Sequence, residues 1–227
     1  TEELLSQIHE KARMTPLDMR KALSVAATQR RIKALSKKNN TDYVSFLGAG
    51  TYNKFVPACI SQVANRFEFL TAYTPYQPEI SQGTLQIMYE FQTMICRITG
   101  MDISNATMYD AATACAESLL MAVRVSKKNK VLVSNRLNPE YVDVIKTYCW
   151  ANEIELELIE EIPADTADCA CVLVQNPDFY GEITQINKPD CLLIVCVDVS
   201  SLGILKPPYD VDIVVGDVQT LGIPMSF

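Results

Sequence analysis

From residue 83 onward, the sequence alternates between stretches with helical spacing and short apolar runs. We predict helices over about 85–99, 110–126 and 138–152, and strands over 130–134, 154–158, 171–175, 192–197 and 213–215. Most of these short runs are apolar throughout, which is typical of strands that are buried on both faces. Buried strands alternating with helices predict a mainly parallel α/β sheet.

Local signals fix where several of these helices begin and end. Asn138 followed by Pro139 predicts a helix start, because Asn caps free N–H groups and Pro at the first helical position has no N–H to leave unpaired. Gly100 follows the last turn of the first helix and suits a C-terminal cap.

The part of the chain before residue 83 has a different pattern. Residues 1–38 predict a helix capped by Thr1, a break at Pro16 and a second helix from about Met19 to Lys38. Residues 41–82 carry many Gly, Pro and aromatic residues and predict ordered loop more than regular structure. We therefore divide the chain into an N-terminal helical and loop segment, 1–82, and a partial α/β domain, 83–227.

Charge and hydropathy exclude two classes of partner. The net charge of -7 would repel nucleic-acid phosphates, so we expect no nucleic-acid partner. The longest strongly apolar run, Cys191–Val197, is far shorter than the roughly 20 residues that span a bilayer, so we expect no membrane partner. The charged, amphipathic stretch 1–13 does not resemble a signal peptide, and we expect a cytoplasmic protein with reduced thiols.

Histidine and cysteine usage argue against hydrolase and metal chemistry. The single histidine, His9, is predicted on a surface helix, far in sequence from other polar clusters, whereas Ser–His–Asp and Cys–His sites need a histidine base. Cys169-x-Cys171 lacks the spacing of zinc sites and has no histidine nearby, so we predict ordinary buried cysteines and no metal.

Gly48-x-Gly50 is a weak signal for a dinucleotide loop. Asn53 stands where the third glycine of that motif belongs, and the required strand and helix do not flank it. We predict a tight turn instead.

The segment YTPYQPEISQG, from Tyr73 to Gly83, is the most informative stretch. Its prolines stiffen the backbone, and the segment offers donors, acceptors and one carboxylate, from Tyr73, Tyr76, Gln77, Glu79 and Gln82. The chemistry of these residues suits a catalytic mouth and equally suits a packed loop or an interface, so both alternatives stay open.

Several segments together resemble a known family. They are FLGAG (46–50), YTPYQPEISQG (73–83), EFQTMIC (90–96), TGMD (99–102), MYD (108–110), VVG (214–216) and LGIPMSF (221–227). They resemble subunit 1 of glycine dehydrogenase (decarboxylating), the P-protein family of the glycine cleavage system, and the resemblance covers nearly the whole chain.

The resemblance implies the large domain of a fold-type-I pyridoxal-phosphate (PLP) transferase-like enzyme, truncated here relative to family members. It implies glycine decarboxylation with transfer of the aminomethyl group to the lipoyl arm of an H-protein. It also implies a homologous partner, subunit 2, that carries the cofactor lysine and holds most of the PLP. Tyr73, Tyr76, Gln77 and Glu79 are then the candidate catalytic residues, with no cofactor held by this chain alone.

Two residues stand at degenerate cofactor positions by the same resemblance. Asp198, after the strand LLIVCV, stands where such enzymes hold the pyridine nitrogen, although capping a turn is an equally good role. Gln219 stands where the catalytic paralogue keeps its lysine, and no lysine follows Lys206. A glutamine amide cannot form an aldimine, which predicts that the isolated chain is inactive.

Asp110 lies at the predicted N-terminus of the second helix, where a cofactor phosphate would usually bind. Its carboxylate would occupy the cap and repel phosphate, so we predict a capping role.

Two other functions stay open. One is a self-sufficient PLP-dependent decarboxylase or transferase, and the other is a non-catalytic interaction subunit within a heteromer.

Overall fold

The computed structural model describes residues 2–13, 18–40, 42–44, 46, 48–50, 52–70 and 74–224. The chain divides into two compact units, Thr1–Phe46 and Leu47–Phe227. The predicted boundary between residues 82 and 83, which was drawn on the change of sequence pattern, stays a prediction. No helix within the described residues is both long and apolar enough to cross a bilayer.

The N-terminal unit contains two helices, α1 (Glu2–Leu5) and α2 (Val25–Ser36), with a 3-10 turn at Glu10–Ala12. Helix α2 begins later than predicted because Ser24 caps it, accepting a hydrogen bond from Ala27 N at 3.3 Å. His9 is exposed, as predicted, but it lies between α1 and the 3-10 turn and not on a helix, and its Nδ1 accepts from Lys11 N. The predicted break at Pro16 and the cap at Thr1 lie outside the described residues.

Residues 52–82 contain more helix than predicted. Helices α3 (Ala58–Ala64) and α4 (Phe67–Leu70) lie in the segment that we expected to be loop. That expectation was wrong because helices of four to seven residues are too short to show an apolar period in the sequence. Pro57 precedes α3 at its cap position.

Helix α5 spans Pro78–Thr99 and so begins earlier than predicted. Pro78 occupies its first turn, where a missing N–H is tolerated, and the helix is kinked at Ser81. Glu79 and Gln82 therefore lie in the first turns of this helix and not in a loop. Gly100 ends the helix with φ 77°, as predicted for a C-terminal cap.

The α/β core matches the predicted order of elements. Its helices are α6 (Ala111–Ser126) and α7 (Pro139–Ala151), and its strands are β1 (Lys130–Ser134), β2 (Glu155–Ile159), β3 (Cys171–Gln175), β4 (Leu192–Asp198) and β5 (Ile213–Asp217). All pairings are parallel, and the sheet order is β2-β1-β3-β4-β5. The mainly parallel sheet is confirmed.

Alternate side chains of the central strands serve two core layers. Val131 and Val133 pack on one face with Leu119 of α6 and Ile145 of α7. The opposite face contributes Leu132, Val172, Leu193 and Val195 to two further clusters, which the segments between the strands cover. Burial on both faces is the reason that these strands are apolar throughout.

Candidate functional site at the carboxyl edge of the sheet

Ligands of open α/β sheets bind at the carboxyl ends of the strands, where the strand order changes direction. In this sheet that point lies between β1 and β3, since β2 pairs with β1 on the other side. The candidate site is therefore formed by the segments that follow β1, β3, β4 and β5.

An ion-pair network bridges the ends of β1 and β3. Asp178 is buried, and its Oδ1 accepts from Tyr180 N and Glu182 N, both at 2.9 Å. Arg136 Nε donates to Asp178 Oδ2, and Arg136 Nη2 lies 2.6 Å from Glu182 Oε2. The Arg136 guanidinium also stacks over the Tyr180 ring, 5.2 Å from its centroid. Side chains of the chain itself thus join the ends of β1 and β3 across the switch point.

The electrostatics of Asp178 favour its charged form. Burial opposes ionisation, but the hydrogen bonds from Glu182 N, Arg136 and Tyr180 N outweigh it and hold the pKa of this carboxyl below its usual range. Asp178 is therefore a permanent anion at neutral pH and holds Arg136 in place.

The turn at Gly48–Gly50 is bound to the start of α7. Gly48, Ala49 and Gly50 all have positive φ, as the predicted tight turn requires. Asn138 is buried, and its Nδ2 donates to Ala49 O at 3.1 Å. A Cβ on Gly50 would lie 3.0 Å from Tyr141 Oη, so glycine is needed for this close approach.

Tyr141 lies against this turn, next to Gly50. Burial, followed by the nearby Cys196 thiol and Asp217 carboxylate, raises the pKa of its hydroxyl well above the ordinary value. The hydroxyl stays protonated at physiological pH and cannot serve as a base there.

Gln219 joins the same loop to the end of β5. Its Nε2 donates to Tyr52 O at 3.0 Å and to Ile223 O at 2.8 Å, and its Oε1 accepts from Tyr52 N at 3.3 Å. The amide therefore bonds both polar atoms of the Tyr52 backbone. Asn138 thus bonds the Gly48–Gly50 turn after β1, and Gln219 bonds Tyr52 after β5.

Asp198 at the end of β4 acts as a cap. Its Oδ1 accepts from Ser200 N and Ser200 Oγ, both at 2.8 Å, and from Thr220 Oγ1 at 3.0 Å. These three hydrogen bonds all fall on Oδ1 and cap the turn, while the role at the pyridine nitrogen stays a prediction.

Asp110 caps α6, as predicted. Its Oδ1 accepts from Thr113 N at 2.7 Å, and Thr113 Oγ1 accepts from Asp110 N at 3.2 Å, which forms a reciprocal capping box. One of the first-turn N–H donors, Thr113 N, is therefore already bonded to a carboxylate.

The predicted catalytic residues share no described hydrogen bond with this network. Tyr76, Gln77 and Glu79 are exposed at the start of α5, and none of their described hydrogen bonds reaches the strand ends. Helix α5 packs against the 3-10 turn Val199–Gly203 that follows Asp198. Tyr73 lies outside the described residues.

Sequence reasoning missed the Arg136–Asp178 pair and the Asn138–Ala49 contact. Asp178 stands three residues after β3, and strand-end carboxylates are a recognisable signal. The partner of Asp178 lies 42 residues away, and that of Asn138 lies 89 residues away, so spacing alone could not identify either.

Comparison with known proteins identifies the family. The family model of the glycine cleavage system P-protein matches residues 2–227. The chain belongs to this family.

Curated relatives agree with the family model. The chain is 42% identical over 248 residues to a protein of Geobacillus thermodenitrificans named "Probable glycine dehydrogenase (decarboxylating) subunit 1", and 44% identical over 250 residues to its namesake in Carboxydothermus hydrogenoformans. These alignments cover 100% of this chain but 55% and 56% of the two relatives. The chain thus spans about half the length of the relatives that it matches.

Solved structures confirm the fold class. A glycine decarboxylase P-protein in inhibitor-bound form aligns with a TM-score of 0.89 and 38% identity, over 99% of this chain and 55% of the other. An aromatic amino acid aminotransferase aligns with a TM-score of 0.50 at 10% identity, over 90% of this chain and 61% of the other, which supports the fold alone. The chain thus shares its α/β fold with a P-protein and, at low identity, with an aminotransferase.

At this edge, the groups that stand at cofactor positions by resemblance already bond other residues of the chain. The α6 N-terminus carries the Asp110 carboxylate, Asp198 Oδ1 bonds Ser200 and Thr220, and Gln219 bonds Tyr52. Within the described part of the chain, every buried side-chain nitrogen or oxygen has a hydrogen-bond partner. Likewise, the described residues contain no group of three His, Cys, Asp or Glu side chains arranged around a metal.

Proposed function

We propose that the chain acts as part of subunit 1 of a PLP-dependent glycine decarboxylase and depends on a second subunit for its cofactor lysine. The observation that carries this proposal is Gln219. It stands at the lysine position by resemblance, and its amide is engaged on both sides by the 48–52 loop. Because both polar groups of the Gln219 amide bond the Tyr52 backbone, these contacts support a structural role for the side chain at this position.

In this proposal the partner is a homologous subunit 2 that holds most of the PLP. The complex decarboxylates glycine and passes the aminomethyl group to a lipoylated H-protein, in the cytoplasm. The exposed start of α5, with Tyr76, Gln77 and Glu79, supplies contacts to the partner's active site together with Tyr73. Their exposure leaves their polar groups accessible to a partner.

A direct test uses the visible absorbance of the full chain with PLP, alone and then mixed with the lysine-bearing subunit, followed by glycine–bicarbonate exchange. We expect no aldimine in the chain alone, and exchange only in the mixture. An aldimine formed by the chain alone, trapped by borohydride on one specific lysine, would contradict the proposal and favour a self-sufficient enzyme.

The second candidate is a non-catalytic interaction subunit. It is favoured by the exposed aromatic residues of the second unit, since Tyr76 is 84% and Tyr109 is 99% exposed. Tyr73→Phe and Glu79→Gln separate the two functions. Unchanged exchange in the mixture would remove the catalytic assignment of the start of α5 and leave the interaction role.

A further inference from the structure

Two cysteines lie side by side at the amino edge of the sheet, opposite the candidate site. Cys169 precedes β3 and Cys191 directly precedes β4, and both belong to the same buried cluster on one face of the sheet. All eight cysteines of the chain are free thiols. The proposed function uses neither of these two.

The strand register brings the two cysteines together. β3 and β4 are parallel neighbours, and the register pairs Cys171 with Leu192. Leu192 N donates to Ala170 O at 3.4 Å. Cys191 directly precedes Leu192 and Cys169 directly precedes Ala170, so each cysteine is next to one residue of this hydrogen bond. The chain bends at Ala170, which turns Cys169 onto the face that carries Cys191.

This arrangement suits a disulfide. Strands lie ~4.8 Å apart and advance ~3.3 Å per residue, which gives a Cα separation of roughly 5–7 Å for such a diagonal pair. Disulfides bridge Cα atoms about 4.4–6.8 Å apart. The two thiols also interact electrostatically, because a negative charge on Cys169 raises the pKa of Cys191.

The surroundings allow a small reagent to reach the pair. Cys169 and Cys191 are 6% and 9% exposed, and both line an open cavity of about 350 Å³ with Lys128, Lys188 and Asp190. A hydroperoxide is small enough to enter such a cavity.

The Thr166 hydroxyl distinguishes Cys191 from Cys169 as the first thiol to react. Burial raises the pKa of both thiols and nearby lysines oppose that rise at both, while the Thr166 hydroxyl in addition stabilises the thiolate of Cys191. Thr166 is fixed for this role, since its Oγ1 accepts from Asp190 N at 3.0 Å. Cys191 is also the more exposed of the two.

We propose that Cys169 and Cys191 form a reversible disulfide when the chain meets a hydroperoxide. The Cys191 thiolate attacks one peroxide oxygen, breaking the O–O bond, and becomes a sulfenic acid as hydroxide leaves and takes up a proton. The Cys169 sulfur then attacks the Cys191 sulfur, the S–O bond breaks, and water leaves with the Cys169 proton. The two thiols together lose two electrons, and hydrogen peroxide is reduced to two water molecules.

The bond would close a ring that contains β3 and the segment between β3 and β4. Cross-linking restricts the unfolded chain more than the folded one, so the oxidised chain should be harder to unfold. Because the bond lies at the edge opposite the candidate site, the Gln219–Tyr52 contact should be undisturbed. The proposal does not depend on the proposed function.

The test oxidises the full chain with hydrogen peroxide and counts free thiols under denaturing conditions. We expect the eight free thiols to fall by two, with recovery after dithiothreitol. Cleavage before aspartates should then yield one joined pair of peptides, beginning at Asp168 and Asp190, with the bond localised to Cys169 and Cys191 by fragmentation. The urea midpoint should rise on oxidation.

Single variants provide the controls. Cys169→Ala and Cys191→Ala should each abolish the joined peptides and the rise in midpoint, whereas Cys59→Ala, which removes an exposed thiol, should preserve both. The wild-type peptide map does not depend on the folding of any variant. Joined peptides that contain a different cysteine pair, or sulfinic acid at Cys191 without a crosslink, would overturn the proposal.

Discussion

At the scale of single residues, the carboxyl edge of the sheet is held by side chains that bond the backbone of distant segments. Gln219 and Asn138 bond the 48–52 loop, while Asp178 bonds the backbone of its own loop and the Arg136 side chain. Each of these contacts can be tested by one substitution.

Gln219→Ala should loosen the 48–52 loop. The variant loses two donors and one acceptor to Tyr52 and Ile223, and because the site is partly exposed we expect a loss of about 1–2 kcal/mol in the free energy of unfolding. Urea denaturation measures the loss, and amide exchange at Tyr52 should quicken. Gln185→Ala, at an exposed glutamine, is the control and should change neither.

Gln219→Lys restores a primary amine, but Asp110 and Asp198 remain engaged. We therefore expect no aldimine absorbance with PLP. Formation of an aldimine by this variant would show that the missing lysine alone prevents cofactor binding.

Asp178→Asn should lower stability in a pH-dependent way. Because the folded-state pKa of Asp178 is depressed, its contribution is present above the unfolded-state value of about 3.9 and is lost as the pH falls through the folded-state pKa. We expect a cost of about 1–2 kcal/mol at pH 7 that disappears in strong acid. Urea midpoints of both proteins from pH 7 to pH 2 measure it, and a gap that is constant with pH would contradict the assigned role of the charge.

At the scale of elements, the turn at Gly48–Gly50 shows how one segment depends on the helix beneath it. Gly50 has φ 97° and approaches Tyr141 more closely than a side chain would allow. The turn therefore tolerates glycine and little else at this position.

Gly50→Ala and Gly83→Ala should have opposite effects. The first strains a positive φ and pushes against Tyr141 Oη, so we expect a loss of about 1–2 kcal/mol in stability. The second lies inside α5 with nothing within 4 Å of the new Cβ, so we expect no loss or a gain of up to about 1 kcal/mol. Thermal or urea unfolding of both variants checks the signs.

The elements also show what the sequence could and could not reveal. Strands and helices from residue 100 onward were predictable because burial on both faces and local caps, such as Asn138 and Asp110, leave a signal within a few residues. Short α3 and α4 leave no such signal. The Gln219–Tyr52 contact joins residues 167 apart, so only the folded sheet could reveal it.

At the scale of the whole molecule, the start of α5 differs from the carboxyl edge of the sheet in its contacts. Side chains at the sheet edge bond other segments of the chain, whereas the start of α5 is exposed. Tyr76 and Glu79 make no described hydrogen bond to another part of the fold through their side chains. Under the proposed function, these two side chains act through contacts with a partner subunit.

Tyr76→Phe and Glu79→Gln should therefore leave the stability of the chain within about 0.5 kcal/mol of wild type. In the assembled mixture we expect each to reduce glycine–bicarbonate exchange by roughly tenfold, the cost of one lost hydrogen bond in the active site. Tyr209→Phe, at a tyrosine that is 94% exposed elsewhere on the second unit, is the matched control and should retain full exchange. Equal exchange in all three variants would assign the start of α5 to assembly or to no function.

The strand order has a consequence for the time course of folding. Every pairing is parallel, and β1 pairs with β3 across 40 residues, from Val131 to Cys171, so no local hairpin can begin the sheet. The entropy of closing these long loops must be lost before the strands gain contacts, which slows folding relative to helical proteins of similar size. During that interval the apolar strands stay exposed, and refolding at high protein concentration should lose material to aggregation before the sheet is complete.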